Sequence, residues 1–315
     1  MSALALATGK PIVYNIEYCR EVLAMLIAGI DIGGTSVKCG LIDPVRGVLL
    51  QQSFPTGRIP PEDLVAQIVS WVRSLPEPPA AVGVGSAGNV NTATNTIKAG
   101  NLGWHDVPLR AMLAANLSVP VWVDNDAQAA LAAEVRYGAC QGLRHVVYLT
   151  LGTGVGGALL LDGRPYRGHD NVGAELGHMI THAGGRSCVC GRRGCLEQYA
   201  SATALKRYAK GMPVREVLDR LQAQDPGIVR AFDHFAREVA IGLSSLTAIF
   251  APERLVLGGG VSHAGPLLLE AVARHFGGPV SLARHGNDAG MLGAAALAGL
   301  HANLPGWSEK GIACV

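Results

Sequence analysis

The sequence has no long apolar runs and no long runs of one charge, and most of its cysteines stand alone. No apolar run reaches the length of a transmembrane helix, so a membrane span is not expected. The 26 Lys and Arg residues nearly balance the 24 Asp and Glu residues, which leaves a net charge of +2. A chain with so little excess charge and no basic segment is not expected to bind nucleic acid or a membrane surface.

The cysteines are odd in number, seven in all, and four of them stand alone in the sequence. This pattern is more typical of a reduced, cytoplasmic protein than of a disulfide-linked one. Apolar residues make up 49% of the chain, and 41 of its 315 residues are glycine. The composition therefore predicts a large core with many tight turns, and the length predicts about two domains.

Residues 1–24 are expected to form an N-terminal extension before the first strong strand. The segment is mildly apolar, but Lys10 and Pro11 interrupt it. It also lacks the basic start of a signal peptide. It is too short for a helix-turn-helix domain.

Strand and helix patterns alternate along the remaining chain, which predicts α/β layers. The pattern predicts a helix over 60–75, a loop over 91–108 and a short helix over 108–117. Residues 29–43 and 148–162 align without a gap, and both read as strand, glycine turn and strand ending in aspartate. This internal repeat indicates a duplicated architecture.

Three glycine-rich turns follow buried strands, with the sequences DIGGTSVK, LGTGVGG and LGGGVS. Glycine lets backbone N–H groups approach a phosphate closely, and nearby hydroxyl and ammonium groups add donors. None of the turns is a Walker loop or a dinucleotide fingerprint. Together they predict a nucleotide held between two related units, with Asp31 near Mg²⁺. The candidate nucleotide-binding residues are Asp31, Gly33, Gly34, Thr35, Lys38, Gly152, Thr153, Gly154, Gly258, Gly259 and Gly260.

One histidine and three cysteines lie close together between two glutamates. His178, Cys188, Cys190 and Cys195 supply the four nitrogen and sulfur ligands of a closed structural zinc site. Glu175 and Glu197 flank this motif, and the glycines within it suit a tight loop around a metal ion.

The strand VPVWVDND ends in three polar residues before a helix. Asn or Asp at this position can simply cap the helix, whereas a carboxylate there can also act as a general base. The spacing does not decide between Asp124 and Asp126.

The chain resembles the ROK family of bacterial sugar kinases and sugar-sensing repressors. DIGGTSVK, NLGW, DNDA, LGTGVGG, ELGHM, CVCGRRGCLE and LVLGGGVS occur in the order found in that family, from about residue 25 to about residue 300. The resemblance implies an α/β fold of the actin/hexokinase-like (ribonuclease H-like) duplicated type, with a cleft between two domains and a zinc knuckle. It implies a small domain over 25–123, completed by a helix at about 289–302. A larger domain over 124–288 would contain the zinc motif, 178–195.

The same resemblance implies the chemistry, with NLGW, YASATAL and GNDAGMLGAA most similar to ATP-dependent glucokinases. Asp126 would be the catalytic base, and ATP, Mg²⁺ and structural zinc the cofactors. A homodimer or homotetramer is expected. The implied sugar-binding residues are Asn101, Asn125, Asp126, Glu175, His178 and Glu197.

Several alternatives remain open at the level of the sequence. The substrate could be N-acetylmannosamine, N-acetylglucosamine, mannose or fructose instead of glucose, and polyphosphate could replace ATP. Ala87 stands where family kinases often carry proline, on a loop that borders the sugar in relatives. A sugar-responsive regulator and a non-catalytic, zinc-stabilised sugar-binding protein are two further classes.

Overall fold

A computed structural model describes residues 25–57, 59–91, 93–100 and 102–307. The N-terminal extension over 1–24 and Asn101, a predicted sugar-binding residue, lie outside the described residues.

The first sheet has the strand order β3-β2-β1-β4-β8. Strands β1 and β2 form an antiparallel hairpin, whereas β4 runs parallel to both β1 and β8. Every residue of β4 is buried, because helices and loops cover both faces of the sheet. The strands are β1 (Ile27–Ile32), β2 (Ser36–Asp43), β3 (Gly47–Pro55), β4 (Ala81–Ser86) and β8 (Val121–Asn125).

The second sheet repeats this topology with the order β11-β10-β9-β12-β13. Its first three strands are antiparallel neighbours, and β12 runs parallel to β9 and β13. The duplicated α/β architecture predicted from the internal repeat is therefore confirmed. The strands are β9 (Val146–Leu151), β10 (Val155–Leu161), β11 (Arg164–Pro165), β12 (Arg254–Gly258) and β13 (Val280–Leu282).

A third, small sheet corrects the predicted loop over 91–108. It consists of β5 (Asn89–Asn91), β6 (Thr96–Ala99) and β7 (Trp104–Val107). The strands are only three or four residues long and rich in polar residues, so the alternation that marks a half-buried strand is too brief to recognise. Their pairing is fixed instead by the burial of apolar side chains such as Ile97 and Trp104.

Nine α-helices are described between residues 61 and 301. The predicted helix over 60–75 is confirmed as α1, with Pro61 in its first turn. The short helix predicted over 108–117 is shorter in the structure, where α2 ends at residue 114. The helices are α1 (Pro61–Ser74), α2 (Leu109–Ala114), α3 (Asp126–Tyr137), α4 (Glu197–Ala200), α5 (Ala202–Tyr208), α6 (Val214–Gln222), α7 (Pro226–Phe250), α8 (Pro266–Ala273) and α9 (Ala289–His301).

Helix α9 packs directly on the first sheet and on α3, because glycines remove the side chains that would hold it away. A Cβ atom at Gly83 would lie 2.0 Å from the carbonyl oxygen of Ala294, and one at Gly293 would lie 1.6 Å from that of Ala129. Helix α9, the last described helix, thus packs against strands from the beginning of the described chain.

None of the described helices is both long enough and apolar enough to cross a bilayer. Helix α7 has 25 residues, but charged side chains interrupt it.

Candidate active site

Parallel pairing brings the ends of three strands to one edge of the first sheet. Ile32 of β1 lies opposite Ser86 of β4, and Ser86 lies opposite Asn125 of β8. The first glycine turn, the loop after β4 and the start of α3 therefore meet at that edge. Asp126, the first residue of α3, lies at this junction.

Asp124 and Asp126, which the sequence could not separate, have different environments. Asp124 is 1% exposed and forms an ion pair with the guanidinium of Arg167, so it is occupied by a structural partner. Asp126 is partly buried and accepts a hydrogen bond from the N–H group of Ala127 at 2.8 Å, and it has no ion-pair partner among the described residues. Asp126 is therefore the carboxylate free to accept a proton.

Burial, followed by the negative charge of Asp31, raises the pKa of Asp126 to about 7. Glu175 adds a smaller effect in the same direction. Burial also raises the pKa of Asp31 to about 6, and the ammonium group of Lys38 opposes that shift. A base with a pKa near neutrality is well matched to proton abstraction at cellular pH.

Asn125 is the N-cap of α3, as the structural interpretation of DND predicted. Its side-chain oxygen accepts hydrogen bonds from Ala127 and Gln128, at 2.9 and 3.2 Å. Its amide group donates to the carbonyl of Gly88 at 2.9 Å, which ties the loop after β4 to the start of the helix. This leaves one amide hydrogen for a ligand.

The first glycine turn is exposed at Gly34 and Thr35. The turn is closed by a hydrogen bond from the N–H group of Gly33 to the carbonyl of Ser36, at 3.0 Å. Lys38, predicted to bind a phosphate, donates to the carbonyl of Asn287 at 2.6 Å, and two of its three N–H donors remain available.

The second and third glycine turns lie next to each other because β9 and β12 are parallel neighbours. A Cβ atom at Gly259 would lie 2.7 Å from the backbone nitrogen of Leu151, and Gly259 has a φ of 82°, so only glycine fits there. Gly258 is buried and makes room for Tyr148. Gly152, Thr153, Gly154 and Gly260 are at least partly exposed.

The four predicted zinc ligands are brought together. One donor atom from each of His178, Cys188, Cys190 and Cys195 lies within 4.8 Å of all the others. The Nδ1 atom of His178 is 3.6 Å from Sγ of Cys188, and Sγ of Cys190 is 3.6 Å from Sγ of Cys195. A tetrahedral zinc ion with ordinary bond lengths requires about 3.6 Å between sulfur and nitrogen and about 3.8 Å between sulfurs. The residues fit a structural zinc ion with no open coordination position.

Glu197 connects this cluster to the second glycine turn. One carboxylate oxygen lies 3.7 Å from Sγ of Cys188, and the other accepts a hydrogen bond from Val155 at 3.2 Å. Glu175 is exposed and directly precedes the short helical turn Leu176–His178. His178 directs Nδ1 toward the cysteines, which leaves Nε2 for a second partner.

Sequence reasoning missed several residues that hold the site together. Arg167 and Asn171 bind Asp124, and Thr203 donates to the carbonyl of Thr153 at 2.7 Å. For Arg167 and Asn171 the sequence offers one local signal. The segment RGHDN contains Gly, Asp and Asn, three residue types that tolerate positive φ. The partner of each residue lies some forty or more positions away in the chain, which no local pattern indicates.

The chain matches the ROK family over residues 27–300. It is 37% identical over 309 residues to a glucokinase of Streptomyces coelicolor, covering 87% of this chain and 97% of that protein. A ROK family glucokinase from Streptomyces griseus, crystallised with glucose and AMPPNP, superposes with a TM-score of 0.79 at 35% identity, over 87% of this chain and 99% of that one. A ROK hexokinase from Thermus thermophilus gives 0.75 at 37% identity, over 89% and 99%. The fold is thus of the actin/hexokinase-like type, and the protein belongs to the ROK family.

Proposed function

We propose that this protein transfers the γ-phosphoryl group of ATP to the 6-hydroxyl group of a hexose, with glucose as the preferred substrate. One observation carries the proposal. Asp126 has no ion-pair partner among the described residues and a pKa raised to about 7, and it lies at a sheet edge shared with the first glycine turn. The kinase and hexokinase relatives support the same reaction.

Asp126 accepts the proton of the 6-hydroxyl group of the sugar, while the oxygen of that hydroxyl group forms a bond to the γ-phosphorus atom. The bond between that phosphorus and the bridging oxygen breaks, and ADP leaves with the electron pair. The products are glucose 6-phosphate and ADP, with the proton on Asp126. General-base catalysis of this kind contributes about 10²–10⁴-fold to the rate.

The sugar is held from two sides in this proposal. Asn101, Asn125 and Asp126 contact it from one side, and Glu175, His178 and Glu197 contact it from the side of the zinc cluster. Amide and carboxylate groups are suited to sugar hydroxyls because they supply both donors and acceptors. The observed orientation of His178, with Nδ1 toward the cysteines, supports this arrangement.

The nucleotide phosphates are assigned to the exposed parts of the three glycine turns. Asp31 is the carboxylate that would hold Mg²⁺, which neutralises charge on the transferred phosphoryl group when it is bound. The carboxylate oxygens of Asp31 are suitable ligands for a hard divalent cation, and Asp31 lies beside the first glycine turn. Zinc, in contrast, has a structural role, since four protein ligands complete its coordination.

The proposal includes a division into two domains, 25–123 with α9 and 124–288, which the packing of α9 on the first sheet supports. It also includes a homodimer or homotetramer acting in the cytoplasm, with no nucleic-acid or membrane partner. ATP is the proposed donor, and a relative bound to AMPPNP supports that choice.

A coupled assay of ADP release tests the proposal over a panel of hexoses and N-acetylhexosamines. We expect glucose to give the highest kcat/KM and its product to be oxidised by glucose-6-phosphate dehydrogenase. A higher kcat/KM for N-acetylmannosamine, N-acetylglucosamine, mannose or fructose would change the substrate. Turnover with polyphosphate in place of ATP would change the donor, and no phosphorylation of any sugar would refute a kinase.

A further inference from the structure

A nine-residue segment, 166–174, leads from β11 directly to Glu175, and we call it the strap. Four of its residues have positive φ angles: Gly168 at 66°, Asp170 at 54°, Asn171 at 63° and Ala174 at 64°. Residues other than glycine seldom adopt this conformation, and it persists only where surrounding contacts enforce it. The strap is therefore held in a defined shape by its neighbours.

Those neighbours are helix α3, which carries Asp126, and the strands β8 and β5. The guanidinium of Arg167 forms an ion pair with Asp124 on β8 and contacts the amide oxygen of Asn171 at 3.3 Å. The amide nitrogen of Asn171 is 3.3 Å from the other oxygen of Asp124 and 3.2 Å from the carbonyl of Val90 on β5. At the start of the strap, Gln128 of α3 donates to the carbonyl of Tyr166 at 2.9 Å.

The ion pair is too deeply buried to be a surface contact. The side chain of Asp124 is 1% exposed and that of Arg167 is 23% exposed. Removing one partner from a buried ion pair is costly because the remaining charge has neither water nor a counter-ion. Loss of Arg167 would therefore force Asp124 and the strap to rearrange.

Each end of this ion pair is close in sequence to a proposed substrate-binding residue. Asp124 stands two residues before Asp126, and Arg167 stands eight residues before Glu175. A displacement of the strap would thus change the position of Glu175 relative to Asp126. A misplacement of about 1 Å in a reacting group can lower a rate by about 10²-fold.

We propose that Arg167 is a positioning residue, whose ion pair with Asp124 holds the strap on β8 and so sets the sugar-binding side of the site relative to Asp126. The proposal rests on the proposed sugar kinase function. Arg167 acts through Asp124 and does not need to touch the sugar or the nucleotide. None of the three glycine turns belongs to the strap, so displacement of the strap is expected to affect sugar binding more than ATP binding.

The test compares wild type with Arg167→Met and Arg167→Lys in steady-state kinetics with glucose and ATP. For Arg167→Met we expect kcat/KM for glucose to fall by about 10²-fold, while KM for ATP stays within about twofold. Arg167→Lys keeps the charge and should recover part of the loss. The double variant Asp124→Asn/Arg167→Met should lose no more than Arg167→Met alone, since the two residues act through each other.

Arg136→Met is the matched control for a loss of stability alone. Arg136 is a buried arginine near the other end of α3, about 15 Å along the helix from Asp126, and it donates to the carbonyls of Gly306 and Trp307. We expect this variant to melt at a lower temperature with unchanged glucose kinetics. If Arg167→Met does not fold, Asn171→Ser replaces it, with a smaller rise in KM for glucose expected.

The outcomes separate the two proposals. An active wild type with unaltered glucose kinetics in the Arg167 or Asn171 variants would overturn the positioning role alone. The same loss in Arg136→Met, or an equal loss of ATP affinity in Arg167→Met, would also overturn it. A wild type that neither phosphorylates nor binds any sugar would overturn the proposed function, and the positioning role with it.

Discussion

Asp126 and Asp31 are two carboxylates whose negative charges repel each other. Burial and the charge of Asp31 together raise the pKa of Asp126 to about 7. The raised pKa makes Asp126 a stronger base than an ordinary aspartate, and yet part of the population remains ionised at neutral pH. Asp31, the proposed Mg²⁺ ligand, thus also raises the pKa of the proposed base.

The pH dependence follows from the sign of this shift. Only ionised Asp126 can accept the hydroxyl proton. The value of kcat/KM for glucose should therefore increase as the pH rises through about 7, and it should be low at pH values below that. Asp31→Asn removes a negative neighbour, so the pKa of Asp126 should decrease. Titration of the Asp126 carboxyl group by ¹³C NMR in wild type and in Asp31→Asn measures this without requiring activity, and an unchanged or increased pKa in the variant would contradict the assignment.

Residues 178–195, here called the zinc loop, contain four proposed zinc ligands that differ in burial. Cys195 is fully buried, whereas Cys190 is exposed, so the core holds Cys195 and a bound zinc ion would add the constraint that Cys190 lacks. Glu197 follows Cys195 by two residues and also contacts Cys188. A bound zinc ion would therefore also help to position the proposed sugar-binding residues Glu175 and Glu197.

Cys190→Ser tests this role of the loop. We expect loss of the bound zinc, a lower melting temperature and a rise of at least about 10–100-fold in KM for glucose, with a much smaller change in KM for ATP. Zinc content, thermal melting and the two KM values measure the effect.

Val189→Ser is the control, because Val189 lies between two ligands but is 93% exposed. It should retain zinc and wild-type kinetics. A Cys190→Ser variant that loses ATP binding and keeps sugar binding would show that the loop has a different function.

Helix α9 depends on close backbone contact with α3. Ala normally stabilises a helix by about 1 kcal/mol relative to Gly. At Gly293, however, a Cβ atom would lie 1.6 Å from the carbonyl oxygen of Ala129. Overpacking of this kind costs about 1–3 kcal/mol or more, and so the clash outweighs the helix propensity.

A 1.6 Å approach to a backbone atom belongs at the upper end of this cost, so after the gain in helix propensity Gly293→Ala should lower the free energy of unfolding by about 2 kcal/mol in urea denaturation. Gly277→Ala is the control, since a Cβ atom there meets no other atom within 4 Å and its φ is not positive. Equal stability of both variants would contradict the packing of α9 on α3.

At the scale of the whole molecule, the sequence predicted the duplication because both halves repeat the same strand, turn and strand. It predicted the zinc cluster because all four ligands lie within eighteen consecutive residues, 178–195. It could not distinguish Asp124 from Asp126, since the distinction depends on Arg167, which is distant in sequence. The small third sheet was missed for a related reason, because its strands are defined by pairing and not by a local pattern.

The central claim is that Asp126 is the base in sugar phosphorylation, and Asp126→Asn tests it most directly. Asparagine has nearly the same shape but cannot accept the proton. ADP release with glucose should fall by about 10²–10⁴-fold, while calorimetry should show glucose binding within about threefold of wild type. An Asp126→Asn enzyme that turns over glucose at close to the wild-type rate would contradict the account.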